Sequence, residues 1–227
     1  KKKIPIKKIN ISEKNIKTES LKIIDVPLNF QNPFNVNYIN AKNYISKSFA
    51  LAHKLALLHG VRGIVNCPVD KNLIKSSKVI GVTELLASKC NIKDNSEVML
   101  LYNKNLSVVP ITTHINLNKV SKKINKKIIL RKIKTLNKDY KKLFGKKPKI
   151  GILGLNPHNA ELSKKSEERQ IIIPVVNILR KKKYNVNGPL VADTIFVKNF
   201  KKFNILVGMY HDQVLIPFKT LFHFDAV

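Results

Sequence analysis

The sequence predicts an α/β fold with a substantially parallel sheet, and three observations carry that reading. Residues 107–111 (SVVPI), 150–155 (IGILGL) and 205–209 (ILVGM) are short apolar runs with the length and continuity of strands buried on both faces. Between them lie longer segments, above all 125–144 and 166–179, whose apolar residues recur at helical spacing. Each apolar run then gives way to a polar stretch holding a histidine: His114, His158 and His211. Alternating strands and helices imply a sheet covered by helices.

The elements follow in order. Residues 21–26 (LKIIDV) read as a short strand, with an Asn- and Pro-rich loop to about Asn37. A helix is expected over 44–59, where Ile45, Phe49, Ala52, Leu55, Ala56 and Leu58 keep helical spacing and Gly60 supplies the stop. His59 would meet the negative end of its dipole. Residues 63–65 (GIV) read as a brief buried strand, 66–71 as a loop, and 83–87 as the opening of another helix. Strands 98–102 and 107–113 flank the turn Asn103-Lys104-Asn105.

The long helix 125–144 has Asn125 as N-cap and Gly145 with Pro148 as its stop. Ile128, Ile129, Ile133, Leu136, Tyr140 and Leu143 form its apolar face, and lysines take the other. Ser166-Glu167-Glu168 opens a helix buried through Ile172, Val175, Val176 and Leu179, with Pro174 either in a first turn or at a kink. Gly188-Pro189 suggests a turn, Asp193-Thr194 a helix cap, and Pro217 a stiffened loop presenting Lys219. No linker or repeat divides the chain, so residues 1–227 are expected to form one unit, holding parts of two subdomains that share a sheet. The start without Met and the apolar end Phe224-Asp225-Ala226-Val227 give the expectation of a fragment.

Composition narrows the function classes. The formal charge of +29 points first to a polyanion partner. Yet of 43 basic residues only Arg62, Arg131, Arg169 and Arg180 are arginines, the side chain that base readers favour. The lysines are scattered over helix faces, and abundant Lys, Ile and Asn together fit an AT-rich genome. Nucleic-acid binding is therefore disfavoured and kept as the alternative of a different class. A basic surface also suits a phosphorylated substrate. Two cysteines build no disulfide framework, and Cys67 at the end of an apolar run reads as a small buried side chain. No apolar stretch approaches a bilayer span and no signal-peptide core follows the basic start, so a cytoplasmic location is expected.

The chemistry centres on the histidines. Loops at the carboxyl ends of parallel strands are where open α/β sheets bind ligands. Three imidazoles delivered there could share one metal ion and leave a position open for substrate. Their wide spacing matches no short metal motif, so placement alone carries the idea. Each could also be an ordinary structural histidine. Asp212 could orient a ring, bind the ion or take a proton, and Asp193 could be a helix cap or a base facing the site. Lys71 and Lys219 read equally as phosphate-binding point charges or as surface lysines. There is no glycine-rich phosphate loop and no nucleophile elbow.

GLNPHNAE (154–161), GPLVADTIF (188–196) and YHDQVLIPFK (210–219) resemble the signature segments of the 4-hydroxythreonine-4-phosphate dehydrogenase family of pyridoxal 5′-phosphate (vitamin B6) biosynthesis. TTHINLNKV (112–120) and GVTELLAS (81–88) match in the same order. The resemblance implies a three-layer α/β/α fold of the isocitrate/isopropylmalate dehydrogenase type, here partly truncated. It implies a homodimer whose divalent metal (Zn, Mg or Co) is held by three histidines shared between subunits, falling on His114, His158 and His211. Substrate contacts fall on Thr83 and Lys219. The cofactor is NAD, or NADP. The reaction oxidises 4-phosphooxy-L-threonine to 2-amino-3-oxo-4-phosphobutanoate, which loses carbon dioxide to give 3-amino-2-oxopropyl phosphate. Asp193 and Asp212 are the candidate bases. Two departures stand out: Val82 replaces the family's His between Gly81 and Thr83, and Asn66-Cys67 replaces Thr-Gly. Val82 leaves room for a related dehydrogenase acting on another phosphorylated hydroxy acid. A three-histidine hydrolase activating water is a third reading.

Overall fold

The apolar runs become strands, and they pair with one another in parallel. The computed structural model describes residues 4–10, 19–58, 60–75, 81–92, 96–223 and 225. It divides the chain into two units, Lys1–Asn91 and Ile92–Val227. Among the described residues, the strands form a two-stranded sheet in the first unit and a five-stranded sheet in the second. His59 and residues 224, 226 and 227 lie outside the described residues.

In the first unit, β1 (Ile6–Lys8) and β2 (Leu21–Ile23) form a small parallel pair, exposed along most of its length. Helix α1 (Tyr38–Ala56) begins earlier than the expected residue 44. Asn37 caps it, its Oδ1 accepting from the Ile39 N–H at 2.9 Å. The first turn is exposed and so lacks the apolar periodicity that marks the rest, which is why spacing alone placed the start too late. Asp70 caps the short α2 (Lys71–Ile74), and α3 (Val82–Lys89) follows. Residues 63–65 are not the expected buried strand: they lie in irregular chain, and Val65 is fully exposed. An apolar run becomes a strand only where a neighbour offers backbone partners. Cys67 is exposed rather than buried, and both cysteines are free thiols.

The second unit holds β3 (Leu101–Tyr102), β4 (Ser107–Thr112), α4 (Val120–Lys123), α5 (Lys126–Phe144), β5 (Ile150–Leu153), α6 (Ile173–Lys181), β6 (Val186–Leu190), α7 (Ala192–Thr194), β7 (Ile205–Tyr210) and α8 (His211–Phe222). The strand order is β3-β4-β7-β5-β6, and only the β3–β4 hairpin is antiparallel. Side chains alternate across the sheet. Val109, Ile111, Val207 and Met209 face a core shared with α5 and α6, while Val108 and Leu206 face Val214, Leu215 and Phe218 of α8. Helices on both faces of the sheet make three layers, so the chain is α/β. Among the described residues no helix is long and apolar enough to cross a membrane.

Several local expectations change. The 98–102 strand shrinks to its last two residues, and β5 ends at Leu153. Asn125 does cap α5, accepting from the Ile128 N–H at 3.0 Å, and Gly145 ends it in the left-handed region. Leu143, however, is 67% exposed, while Lys132 is buried and donates to the Glu97 carbonyl at 2.8 Å. Burial holds the Lys132 ammonium below the ordinary lysine range, and the Glu97 charge opposes that shift. Pro174 sits in the first turn of α6, just after a π-helical turn, Glu168–Ile172. Gly188-Pro189 lies within β6 rather than in a turn, because the backbones there nearly touch: a Cβ on Gly188 would stand 2.5 Å from the Ile152 carbonyl oxygen. Val191, not Asp193, holds the N-cap position of α7. Pro217 lies inside α8, so Lys219 is carried on a helix and not on a loop.

Candidate functional site

Parallel pairing brings the carboxyl ends of β4, β7, β5 and β6 to one edge of the sheet. Across that edge, in strand order, stand the segments that carry His114, His211, His158 and Asp193. Sequence order says nothing of this adjacency. It comes from β7, the last strand, inserting between β4 and β5.

A pocket of about 470 Å³ opens there, lined by Thr112, Thr113, His114, Tyr210, His211 and Asp212 among others. The His114 and His211 rings lie 5.8 Å apart, centre to centre. His211 Nδ1 is 2.6 Å from Asp212 Oδ1. A carboxylate only accepts, so Nδ1 is the donor in this contact, and in the neutral ring Nε2 is the nitrogen with a lone pair to offer. Asp212 Oδ1 is thus in contact with the neighbouring ring. Thr112 is buried and donates through Oγ1 to the Met209 carbonyl at 2.8 Å, tying the ends of β4 and β7 together.

His158 sits in an unusual turn after β5. His158, Asn159, Ala160, Glu161 and Leu162 all have positive φ, near 50°. Left-handed helical backbone costs L-residues roughly 1–2 kcal/mol each, so surrounding contacts must hold the turn. Glu168, fully buried, accepts from the Leu155 N–H at 2.7 Å and the Asn156 N–H at 2.8 Å. Asn156 also donates its side-chain amide to Glu167 at 2.9 Å. Glu167 accepts from the Ser121 hydroxyl as well, and this bond, with the Asn156 amide, holds its carboxyl below the ordinary range against the opposing effect of burial. Sequence reading saw in Ser166-Glu167-Glu168 only a helix opening. Nothing local marks Glu168 as the clamp of Leu155 and Asn156, more than ten residues upstream at the entry to that turn.

Two imidazoles sharing an ion at about 2.1 Å from each nitrogen place their ring centres roughly 5–6 Å apart. His114 and His211 fit that requirement. His158 is not among the residues lining their pocket, and no group of three or more His, Cys, Asp or Glu is gathered for a metal among the described residues. Asp193 is exposed in the first turn of α7, which packs on the His158 turn. Lys219 is exposed two turns beyond His211 on α8, outside the pocket lining. Thr83, exposed on α3, belongs to the first unit.

The fold and this edge define an α/β protein with an imidazole-lined pocket at the carboxyl ends of a mostly parallel sheet. The chain belongs to the family described as pyridoxal phosphate biosynthetic protein PdxA, whose model matches residues 2–227. It is 41% identical over 168 residues to the 4-hydroxythreonine-4-phosphate dehydrogenase of Sulfurihydrogenibium sp., covering 72% of this chain and 51% of the relative. It is 30% identical over 213 residues to the D-threonate 4-phosphate dehydrogenase of Pectobacterium atrosepticum, covering 91% of this chain and 65% of that protein. The crystal structure of a 4-hydroxythreonine-4-phosphate dehydrogenase from Klebsiella pneumoniae superimposes with a TM-score of 0.85 at 29% identity, over 98% of this chain and 70% of the other. The chain spans about half the length of several of the curated relatives it matches.

Proposed function

We propose that the protein oxidises 4-phosphooxy-L-threonine with NAD (or NADP) and a divalent metal, in pyridoxal 5′-phosphate biosynthesis. The product, 2-amino-3-oxo-4-phosphobutanoate, is a β-keto acid that loses carbon dioxide to give 3-amino-2-oxopropyl phosphate. The observation that carries this reading is the His114–His211 pair, which lines the edge pocket together with Thr112, Thr113 and Asp212. A Zn, Mg or Co ion at these imidazoles would supply Lewis-acid polarisation of the alcohol. The third ligand in this reading is His158, with ligands shared between two copies of the chain in a homodimer.

The chain's own groups divide the remaining work. Asp212 fixes the tautomer and direction of His211. That commitment favours Asp193 as the group that takes the alcohol proton, because its carboxylate is exposed at the same edge. Thr83 and Lys219 hold the substrate, Lys219 as a point charge for its phosphate. Bound NAD or NADP would supply the hydride acceptor. The reaction takes place in the cytoplasm in this reading.

The test is NADH or NADPH formation by the purified full-length protein from 4-phosphooxy-L-threonine with each metal in turn. His114→Ala or His211→Ala is expected to lower kcat/KM at least about a hundredfold, the scale of a lost metal ligand or its support. Absence of both NADH and NADPH formation with every metal would overturn the reading.

A second reading keeps the site and changes the substrate. Val82 on α3 cannot hydrogen-bond, and one relative acts by name on D-threonate 4-phosphate. Turnover of that acid in preference to 4-phosphooxy-L-threonine would select it.

A further inference from the structure

The three histidine segments are joined by one continuous set of hydrogen bonds that does not involve the imidazoles. Its centre is Gln213, in the first turn of α8. Gln213 Oε1 accepts from the Met209 N–H at 2.7 Å, and Gln213 Nε2 donates to the Gly154 carbonyl at 2.7 Å. One amide therefore spans the ends of β7 and β5, the strands that lead to His211 and His158. From Met209 the set continues through its carbonyl to the Thr112 hydroxyl, two residues before His114. From Gly154 it continues along the chain to Leu155 and Asn156, whose N–H groups end on Glu168. From Asn156 it passes to Glu167 and on to Ser121, on the helix that follows the His114 segment.

The space for this set is cut to size. A Cβ on Gly208 would lie 2.9 Å from Gln213 Oε1 and 2.5 Å from Val214 Cγ1. A Cβ on Gly154 would lie 2.0 Å from Asn159 Oδ1 and 3.2 Å from Glu168 Oε1. Two glycines thus stand where the amide and the carboxylate approach the strand ends. A half-buried amide that satisfies both a donor and an acceptor on neighbouring strands has one preferred orientation and reduced freedom.

We propose that Gln213, with Glu168 and Glu167, is a positioning residue: it sets the spacing of the three histidine-bearing segments and thereby the geometry and affinity of the metal site. The inference rests on the reading that His114, His158 and His211 serve a metal. Gln213 itself is not a ligand. Its amide acts through the backbone at Met209 and Gly154. Whether the ion is completed within one chain or across two, each chain presents its three segments as one body.

The test uses Co²⁺ as probe, because its visible absorption reports ligand geometry. Co²⁺ affinity and spectrum are measured for the wild type, Gln213→Met and Gln213→Glu, at a temperature where each is folded, with melting temperatures recorded in parallel. Gln213→Met keeps the length and removes both bonds. Gln213→Glu keeps the acceptor for Met209 and sets a carboxylate against the Gly154 carbonyl. At least a tenfold loss of Co²⁺ affinity is expected in both, with shifted absorption bands. Glu167→Ala, on the half-buried arm, tests the same set where folding is less at stake, and a loss of about threefold is expected, below the usual range for such partners. Lower melting temperatures with wild-type Co²⁺ affinity and spectrum in all three would overturn the inference, since a purely structural role predicts that result. His114→Ala and His211→Ala separate it from its premise. If they abolish Co²⁺ binding while the Gln213 variants bind normally, only the positioning role falls. If they too bind normally, the metal reading falls and this inference falls with it.

Discussion

The two units of the chain share a lysine-rich composition but organise it differently. In the second, a five-stranded sheet is covered on both faces, and nearly every buried apolar side chain lies there. In the first, Phe49 is the one buried hydrophobic residue among those described, and Phe34, Leu57 and Val65 are exposed. The amphipathic helix α1 is well capped, yet its apolar stripe is only half-covered. The contrast teaches that capping and periodicity suffice to make a helix, but a core needs a sheet or helix laid against it. The histidine-bearing edge belongs to the unit with the core, where its loops have rigid strands behind them.

Substitutions can sharpen or break this contrast, and the sharpest uses glycine. Gly154→Ala drives a methyl into Asn159 and Glu168 at the His158 turn and is expected to cost about 3 kcal/mol or more. Gly63→Ala meets nothing within 4 Å and should be near neutral. Denaturant titration of the pair would break the comparison if the two costs were equal. Next comes the core itself. Ile133→Ala removes a fully buried side chain and should cost about 2–5 kcal/mol, whereas Leu55→Ala on the half-covered stripe of α1 should stay under about 1.5 kcal/mol.

Helix caps act locally and test whether stability is shared. Asn125→Ala is expected to lower the main unfolding transition by about 1 kcal/mol. Asn37→Ala should instead speed amide exchange in α1 while leaving that transition unmoved. A shift of the main transition by Asn37→Ala would show that the two units unfold as one.

The smallest effects are electrostatic. Glu167 has its carboxyl held below the ordinary glutamate range, so the unfolded chain binds more protons than the native one in the window between the two values. Its contribution is complete above the ordinary value and is lost as pH falls through the native one. Melting temperatures followed from about pH 5 to about pH 3 should therefore drop less steeply in Glu167→Gln than in the wild type. The exposed Lys8–Asp25 pair of the first unit, at 2.7 Å, offers the counterpart. Asp25→Asn should change stability by under about 0.5 kcal/mol.

Much of the second unit was legible in advance. The strands 107–111, 150–155 and 205–209 were visible because burial on both faces demands unbroken apolar runs. Helix α5 was visible because its cap, stripe and stop agree. The wrong readings failed where partners mattered. Residues 63–65 look like a strand yet have no strand beside them. Lys132 looks like surface, yet the Glu97 carbonyl lets it turn inward. Pro217 looks like a loop breaker, yet Val214, Leu215 and Phe218 bury the helix around it. The histidines were picked out correctly as strand-end residues. Which of them meet was not readable, since His114 and His211 become neighbours only through the insertion of β7.

By itself the sequence determined the fold class, the cap and stop of α5, and the polar segments that follow the strands. These are written in local patterns of burial and in short-range hydrogen bonds. Only the tertiary structure decided the strand order, the left-handed turn at His158, the meeting of His114 with His211, and the reach of Gln213 from β7 to β5. Those depend on backbone groups far apart in the chain finding one another, and no local pattern of residue types records such a meeting.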